Sequence, residues 1–215
     1  MKKTLTVYSS NRAPAQEFVR SIERLTMAGC AVIPQEGTAD VTLARNLALT
    51  AAVQALRAGV TADVVLLVDD DMVFELSSVA AIATWVRGNQ RAASAAYVMK
   101  DGTLAAHFVG PRWHTGLGFL ALPAAQLLRI ADESEPFVGK PNGGLVLEFT
   151  RSGVITRDGG RRWLGEDYYF TERLGGVDLL PMAVGHVKSV VLLPNEAKLR
   201  EFLDSKERAG SHSSG

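Results

Sequence analysis

Apolar and polar residues along the first 70 positions follow patterns that predict strands and helices in alternation. An apolar run at residues 5–8 ends in turn-forming residues, which predicts a buried first strand. Apolar residues then recur at helical spacing from Pro14 to Gly29 and again over residues 42–58, which predicts two helices. Residues 64–68 are apolar at every position, as in a strand that is covered on both faces. The opening therefore predicts a β-α-β-α-β unit, the arrangement found in α/β folds.

The second half of the chain predicts shorter elements and a more antiparallel arrangement. Asp101-Gly102 is a hairpin-type turn, and Ser77 or Ser78 suits the N-cap of a helix. The other predicted elements are strands at residues 92–99, 104–109, 118–122 and 145–149, helices at residues 123–131, from Glu166 and at residues 195–206, and a loop rich in glycine and arginine at residues 157–162. We expect one α/β domain over residues 1–208, with a mixed, mostly parallel sheet flanked by helices, and a polar tail at residues 209–215.

Composition narrows the classes of protein that the chain can form. With 47% hydrophobic and 21% charged residues, the chain does not fit a disordered protein. Its 23 basic and 23 acidic residues exclude a nucleic-acid binder driven by overall charge. Cys30 is the only cysteine, which excludes an intramolecular disulfide and a multi-cysteine metal site. No apolar run reaches the roughly 20 residues that span a bilayer, so we expect a cytoplasmic protein with no membrane partner.

Three consecutive carboxylates, Asp69, Asp70 and Asp71, directly follow the apolar strand at residues 64–68. Open α/β sheets bind their ligands at this carboxyl edge. Two unit charges about 4 Å apart repel by about 4 kcal/mol at an effective dielectric constant near 20, so the acids need a cation or several hydrogen-bond donors. Along an extended chain Asp69 and Asp71 point to the same side, where they could share Mg²⁺ or Mn²⁺. The alternative is an acidic turn in water that caps the next helix.

A second acidic pair, Glu166-Asp167, lies among aromatic residues at the start of a predicted helix. The helix dipole alone favours acids at that position. A carboxylate flanked by rings such as Trp163 and Tyr168 also suits a sugar-handling site, in which it takes the proton of a hydroxyl group. The pair therefore has both a structural and a catalytic interpretation.

His186 stands alone within an apolar, strand-like segment. A lone histidine in such a setting is more often a satisfied core residue than a metal ligand. Together with Asp69 and Asp71 it becomes a candidate ligand, because imidazole and carboxylate groups together suit manganese-type sites. His107 and His114 have no such companions, and we interpret them as structural or acceptor-side residues.

Several short motifs occur together in a known order. They are residues 44–46 (Ala-Arg-Asn), 65–72 (Val-Leu-Leu-Val-Asp-Asp-Asp-Met), 96–100 (Ala-Tyr-Val-Met-Lys), 116–120 (Gly-Leu-Gly-Phe-Leu), 164–170 (Leu-Gly-Glu-Asp-Tyr-Tyr-Phe) and 184–187 (Val-Gly-His-Val). With these motifs the chain resembles the metal-dependent nucleotide-sugar glycosyltransferases of the GT-A fold, and it is similar in particular to small family-2-like enzymes of bacteriophages. The likeness covers residues 5–190 but leaves residues 132–160 unmatched, in loops of the kind that often choose the acceptor.

The resemblance implies a nucleotide-binding half at about residues 1–100 and an acceptor-binding half at about residues 101–194. It also implies roles for individual residues. These are Asp71 and His186 as metal ligands, Asp69 at the metal or its water and at the ribose, Asp70 toward the donor sugar, Arg45 at the nucleotide or its diphosphate, Ser9, Asn11 and Arg12 at the nucleobase, Gly116, Gly118, Trp163 and Tyr168 at the acceptor, and Asp167 as catalytic base with Glu166 as the second candidate.

The substrates implied by the resemblance are a nucleoside diphosphate sugar, UDP-linked by default, and an acceptor hydroxyl, with Mn²⁺ or Mg²⁺ as cofactor. Phage relatives suggest hydroxymethylated pyrimidines in DNA as acceptor, and a phage-encoded enzyme would work in the host cytoplasm. The arginines at 151, 157, 161 and 162 and the lysine at 140 would then meet phosphates, or they form a solvated basic loop. No obligate protein partner is indicated.

Other interpretations stay open at this point. Surface polysaccharide or a protein side chain is the alternative acceptor, and both inverting and retaining transfer fit the sequence, with inversion as the working expectation. From other classes, the chain fits a magnesium-dependent phosphohydrolase that uses Asp69 and Asp71, or a non-catalytic module that binds a sugar nucleotide.

Overall fold

A six-stranded sheet with helices on both faces forms the centre of the protein. The computed structural model describes residues 3–10, 14–36, 38–98, 103–109, 112–139, 144–157, 160–182, 184–187, 191–192, 200–201 and 204. In chain order the elements are β1 (Thr4–Ser10), α1 (Gln16–Met27), β2 (Ala31–Glu36), α2 (Val41–Arg57), β3 (Val64–Asp69), β4 (Met72–Val73), α3 (Leu76–Asn89), β5 (Ala93–Ala95), β6 (Ala106–Val109), β7 (Arg112–Thr115), β8 (Phe119–Pro123), α4 (Ala124–Asp132), β9 (Pro136–Val138), β10 (Leu145–Leu147), β11 (Gly153–Arg157), β12 (Gly160–Leu164), α5 (Glu166–Arg173), β13 (Asp178–Leu180), β14 (Gly185–Val187) and β15 (Val191–Leu192).

The strand order of the main sheet is β13-β5-β8-β3-β1-β2. Of these strands, β8 runs antiparallel to both of its neighbours, β3 and β5, while β13 with β5, β3 with β1 and β1 with β2 are parallel pairs. The predicted mixed, mostly parallel α/β sheet is therefore confirmed, and the opening β-α-β-α-β unit places β3 inside the sheet. Two smaller pairs matter for the site, β4 with β14 and β11 with β12.

Strand β3 is covered by helices on both faces of the sheet, which explains why its sequence is apolar at every position from 64 to 68. Val65 and Leu67 pack into a cluster with α2 and α4, whereas Val64, Leu66 and Val68 pack into a second cluster with α1 and α3 on the opposite face. Side chains alternate between the faces of a strand. Asp69, the next residue in the alternation of Val65 and Leu67, is therefore directed to the side of the sheet that α2 covers.

Three local predictions are corrected by the structure. Of the loop predicted at residues 157–162, residues 157 and 160–162 lie in strands instead, because β11 and β12 pair antiparallel, and residues 158–159 lie outside the described residues. The sequence signal for these strands was the β-branched run Val-Ile-Thr at residues 154–156, which favours a strand. Helix α3 begins at Leu76 after Glu75 without a side-chain cap, so neither Ser77 nor Ser78 is its N-cap. The strand predicted at residues 92–99 is limited to Ala93–Ala95.

Other predictions fall wholly or partly outside the described residues. The turn at residues 101–102, Lys140 and the tail at residues 209–215 lie outside them. Of the predicted helix at residues 195–206, the structure describes residues 200, 201 and 204, which are helical. Within the described part of the chain, no helix has both the length and the apolar character needed to cross a membrane.

Candidate active site

The three carboxylates at the end of β3 have three different partners. Asp69 is the last residue of the strand, and the chain turns at Asp70 and Asp71 before β4 begins. The expectation of an extended chain, with Asp69 and Asp71 side by side, is therefore wrong. Asp69 accepts a hydrogen bond from Arg45 at 3.0 Å, Asp70 accepts one from Ser10 Oγ at 2.6 Å, and Asp71 contacts His186 at 3.0 Å.

Arg45 is the centre of the fixed-charge part of the site. Its guanidinium, on the second turn of α2, donates to Asp69 Oδ2 at 3.0 Å through one nitrogen and to Glu166 Oε1 at 2.8 Å and Asp167 Oδ1 through the other. The side chain is only 8% exposed. Burial works against its charge, but the three carboxylates outweigh that effect and raise the pKa of Arg45 above its ordinary value. Arg45 therefore stays charged and joins β3 to α5.

Asn46, the next residue of α2, anchors this arrangement. Its buried side-chain oxygen accepts hydrogen bonds from the backbone N–H groups of Phe149 and Thr150 at 2.9 and 2.8 Å, and its nitrogen donates to the carbonyl of Thr150 at 2.9 Å. A buried amide that makes all these bonds fixes helix and loop relative to each other. The sequence motif contained Asn46, but nothing in it indicated which backbone segment the amide would bind.

Asp167 differs electrostatically from an ordinary surface aspartate. Burial is the main cause that raises its pKa to about 7, and the neighbouring charges of Glu166 and Asp69 act in the same direction. Arg45 and a hydrogen bond from the backbone N–H of Leu117 oppose the rise. The carboxyl group therefore exchanges a proton near neutral pH, which is the property of a general acid or base.

His186 reaches Asp71 through backbone pairing. Strand β14 pairs with β4 so that His186 lies opposite Met72, the residue after Asp71, and the N–H of Val187 donates to the carbonyl of Asp71 at 2.7 Å. The Nε2 atom of His186 lies 3.0 Å from Asp71 Oδ2. Tyr97 packs edge-on against the imidazole, with 5.8 Å between ring centroids. The strand pairing thus brings His186, 115 positions further along the sequence, into contact with Asp71 of the sequence motif.

Two cavities meet at these residues. The smaller, about 210 Å³, lies between the end of β3 and the start of α2, and Ser9 and the three carboxylates are among its lining residues. The larger, about 580 Å³, is lined among others by Tyr97, Asp167 and His186. Arg45, Asp69 and Asp71 line both cavities. The charged groups therefore stand between two spaces that are each large enough for part of a ligand.

Gly116 and Gly118 provide space for a protein side chain. The Tyr97 hydroxyl lies against both, and it accepts a hydrogen bond from the Gly118 N–H at 3.2 Å. A Cβ atom at Gly118 would approach that hydroxyl to 2.9 Å, and one at Gly116 would approach it closer still. Burial raises the pKa of Tyr97 well above its ordinary value, so the phenol stays protonated. Of the two glycines, only Gly116 is among the described residues that line the larger cavity.

The predicted acceptor residues divide into two groups. Tyr168 lines the larger cavity beside His107, with 5.5 Å between ring centroids. His114 is buried and its Nδ1 lies 3.2 Å from Thr171 Oγ1, which fits the structural role expected for it. Trp163 is 71% exposed on β12 and is not among the described residues that line either cavity. Asn11 and Arg12 lie outside the described residues.

The side chains near His186 that could act as metal ligands fit a divalent cation only in part. Within the described ranges, no three or more His, Cys, Asp or Glu side chains form a group that could hold a metal ion. Asp71 and His186 offer a carboxylate and an imidazole, which together suit Mn²⁺, while the carboxylate alone also suits Mg²⁺. Asp69, Asp71 and Asp167 line the larger cavity, where Arg45 is the single guanidinium among the described lining residues. This excess of negative charge favours a cation.

Comparison with known proteins supports the fold. No family model matches the chain, and no curated protein matches it. The crystal structure of A197 from STIV is similar over 90% of this chain and 94% of that chain, with 16% sequence identity and a TM-score of 0.56. At this identity the similarity concerns the fold alone, and the GT-A-like α/β architecture expected from the sequence is confirmed at that level.

Two further similarities are weaker. A glycosyltransferase involved in the glycosylation of the major capsid of PBCV-1 matches 60% of this chain and 64% of its own, with 10% identity and a TM-score of 0.42. The 4-diphosphocytidyl-2C-methyl-D-erythritol synthase from Anaerococcus prevotii matches 83% of this chain and 88% of its own, with 9% identity and a TM-score of 0.44. The assignment of function below therefore depends on the site of this chain.

Proposed function

We propose that the protein is a glycosyltransferase that moves a sugar from a nucleoside diphosphate sugar to an acceptor hydroxyl. One observation carries the proposal: the carboxylates after β3 meet Arg45, Asp167 and His186 where two cavities join. Transfer of this kind needs one space for a nucleotide, an adjoining space for two sugars, a cation where the diphosphate leaves, and a base at the acceptor hydroxyl. The described residues offer a candidate for each requirement.

The smaller cavity is the proposed nucleotide site. The first turn of α2 borders it, and the unpaired N–H groups of a helix start favour phosphate oxygens. Ser9 also lines it, and its hydroxyl oxygen is buried without a hydrogen-bond partner among the described residues. We assign Ser9 to the nucleoside and Asp70, held by Ser10, to the donor. UDP is the nucleotide we propose, on the resemblance already described.

Asp71 and His186 would hold a divalent cation, and Asp69, which lines the same cavity, would meet the ion or its water. Such an ion, when bound, stabilises the negative charge of the departing nucleoside diphosphate. The chain itself keeps Asp71 and His186 in contact through the β4–β14 pairing. Arg45 is already paired with three carboxylates, so we assign it the task of holding Asp69 and Asp167 in place rather than that of a free phosphate ligand.

Asp167 is the proposed catalytic base. Its carboxyl group lines the larger cavity, and its pKa of about 7 lets it take the proton of an acceptor hydroxyl near neutral pH. Glu166 accepts hydrogen bonds from Ser152 and Arg45. We therefore assign it the task of holding Arg45 in place, so that it acts on the reaction through that residue. Tyr168 and Gly116 would border the acceptor. In-line attack with Asp167 as base inverts the anomeric centre, and this is the outcome we propose.

The acceptor is the least constrained part of the proposal. A hydroxymethylated pyrimidine in DNA, surface polysaccharide and a protein side chain all present the hydroxyl that Asp167 would deprotonate. An enzyme that works on the first of these would act in a cytoplasm, the host's if the gene is viral.

A thermal-shift panel of nucleoside diphosphate sugars, each with and without Mn²⁺, tests the donor and the ion together. We expect a UDP-sugar with Mn²⁺ to raise the unfolding temperature by several degrees, and the sugar nucleotide alone to raise it less. The Asp71→Asn variant should lose the part that depends on metal. Asp132→Asn is the matched control, because Asp132 is exposed, contacts Arg57, and is not among the described residues that line either cavity. A panel in which no sugar nucleotide shifts the transition would contradict the proposal.

The reaction products separate the proposal from its rivals. Sugar transfer to an acceptor, followed by NMR of the anomeric proton, identifies a transferase and its stereochemistry. Phosphate release from simple phosphate esters without transfer would identify a phosphohydrolase. Donor binding with no turnover on any acceptor would identify a binding module.

A further inference from the structure

The β11–β12 hairpin forms a two-stranded ribbon, and among the described strands each of the two pairs only with the other. Val154 pairs with Trp163, and Thr156 pairs with Arg161. Residues two apart on a strand share a face, so these four side chains lie on one face of the ribbon. All four are exposed, with Val154 at 52% and Trp163 at 71%. A tryptophan left this open is unusual and indicates a contact surface.

The ribbon is also the basic segment of a chain without net charge. Residues 151–164 contain four arginines and one acidic residue, Asp158. Arg161 is exposed on the same face as Trp163. At the base of the ribbon the guanidinium of Arg151 lies 4.7 Å from the centre of the Tyr169 ring. Positive charge and an open aromatic ring therefore occur together on a strand pair that, among the described strands, is not paired with the main sheet.

The end of the ribbon at which β11 begins and β12 ends is joined to the candidate active site. Ser152, just before β11, donates to Glu166 Oε2 at 3.1 Å, and β12 leads through Gly165 into Glu166 and Asp167. Trp163 and Asp167 are four positions apart in the sequence, which limits the distance between their Cα atoms to about 14 Å. A polymer bound along the ribbon would therefore have one of its units close to the larger cavity.

We propose that the exposed face of the ribbon binds single-stranded nucleic acid. An open aromatic ring stacks on an unpaired base, and an arginine next to it, here Arg161, neutralises a phosphate; this is how proteins hold single strands without reading their sequence. A base within a duplex offers no free face to Trp163, and a neutral polysaccharide leaves Arg161 without a charged partner. The proposal rests on the glycosyl transfer proposed above only for the use made of the bound strand, whose bases or sugars would present the acceptor hydroxyl.

Fluorescence anisotropy with a labelled twelve-nucleotide oligothymidylate, measured on the full chain without donor, tests this inference. We expect binding that is tighter than to a duplex of equal length and that weakens steeply with salt. Trp163→Ala should weaken it about tenfold or more, whereas Trp163→Phe should retain most of it. Arg161→Ala should weaken it less and should reduce the slope of the salt dependence by about one.

Matched controls are available on α1. Met27 is 88% exposed and Arg20 is exposed, so Met27→Ala and Arg20→Ala remove the same kinds of group elsewhere on the surface. Both should bind the oligonucleotide as the unmodified chain does. Because Trp163 and Arg161 are exposed, unfolding temperatures should stay unchanged in all four alanine variants.

Several results would overturn the inference. They are absence of oligonucleotide binding, equal affinity for the duplex, Trp163→Leu binding as well as Trp163→Phe, and competition by neutral dextran as strong as that by unlabelled oligonucleotide. The thermal-shift panel with sugar nucleotides does not involve the ribbon. Its outcome and the oligonucleotide result therefore judge the two proposals separately.

Discussion

The two outer carboxylates of the run after β3 are held in different ways. Asp69 contacts Arg45, a buried cation that also binds Glu166 and Asp167. Asp71 contacts His186, whose ring nitrogen is able to bind a metal ion. The Arg45 group is therefore permanent and sets the geometry, whereas the Asp71–His186 pair has a partner that can change.

This difference assigns separate tasks to neighbouring residues. Disturbing the Arg45 group should affect the stability of the fold as well as activity. Disturbing the Asp71–His186 pair should leave the fold intact and alter the response to a cation. Each of the following variants is chosen to test that division.

The largest effect is expected from Arg45→Met. The substitution leaves Asp69, Glu166 and Asp167 crowded without their cation, and removing one partner of a buried ion pair typically costs about 3–5 kcal/mol. Urea denaturation should show the loss. Arg57→Met is the matched control, because Arg57 makes a single exposed ion pair with Asp132, worth at most about 1 kcal/mol. Similar losses in the two variants would show that Arg45 is not the structural centre of the site.

Asp167→Asn should slow sugar transfer by about 100-fold or more, because asparagine has no basic oxygen for the hydroxyl proton. Donor binding should change little. Single-turnover transfer measures the rate, and the thermal shift with UDP-sugar measures binding. Glu166→Gln is the informative partner variant: if it slows transfer more than Asp167→Asn does, the base has been assigned to the wrong residue.

His186→Ala should weaken donor binding about tenfold in the presence of Mn²⁺ and leave binding without metal unchanged. Calorimetric titration with and without the ion measures both values. His107→Ala provides the contrast, since His107 also lines the larger cavity, where its ring packs against Tyr168. Equal metal dependence in the unmodified protein and the His186 variant would remove the metal assignment.

Gly116→Ala should destabilise the protein by about 1–3 kcal/mol, because its methyl group would overlap the Tyr97 hydroxyl. The same substitution in a Tyr97→Phe background should cost less, since the oxygen is gone and the remaining ring carbon lies 3.2 Å away. A double-mutant cycle of unfolding free energies measures the difference. Equal costs in both backgrounds would mean that the loop moves away from the ring.

A further expected effect concerns pH. Because the pKa of Asp167 is raised to about 7 from 3.8, the folded protein keeps a proton there that the unfolded chain has released. The stabilisation from this proton is complete below about pH 4 and is lost as the pH rises through about 7. The free energy of unfolding should therefore fall less steeply with pH in Asp167→Asn. Transfer should increase as the pH rises through 7, where the base form appears.

The sequence predicted elements whose signals are local. Three examples follow from patterns among residues close together in the sequence. They are the apolar run at residues 64–68, the helical spacing of the segment that forms the helix Val41–Arg57, and the start of α5 at Glu166. The ribbon was mistaken for a loop because its arginines and glycines concealed the β-branched run at its centre. A strand pair with polar or charged residues at most positions lacks the strict apolar alternation that identifies strands with one buried face.

The site was predictable in its residue types but not in its partners. Asp71 and His186 were chosen together and lie in contact, as the resemblance implied they would. The ion pairs of Arg45 were not foreseen, since Glu166 and Asp167 lie more than 120 positions away and any guanidinium near a nucleotide site suggests a phosphate ligand. Tyr97 was missed as well, because glycines reveal that space is needed without revealing what fills it.

The reversed direction of β8 determines which parts of the surface tolerate change. Its first residue, Phe119, lies opposite Val68 at the end of β3, and its last, Pro123, lies opposite Val64 at the start. The segment before β8 therefore lies next to the carboxylates, whereas the junction of β8 with α4 lies at the opposite end of the strand. Residues inserted at the β8–α4 junction would leave the candidate active site intact, whereas the same insertion before Phe119 would disrupt it.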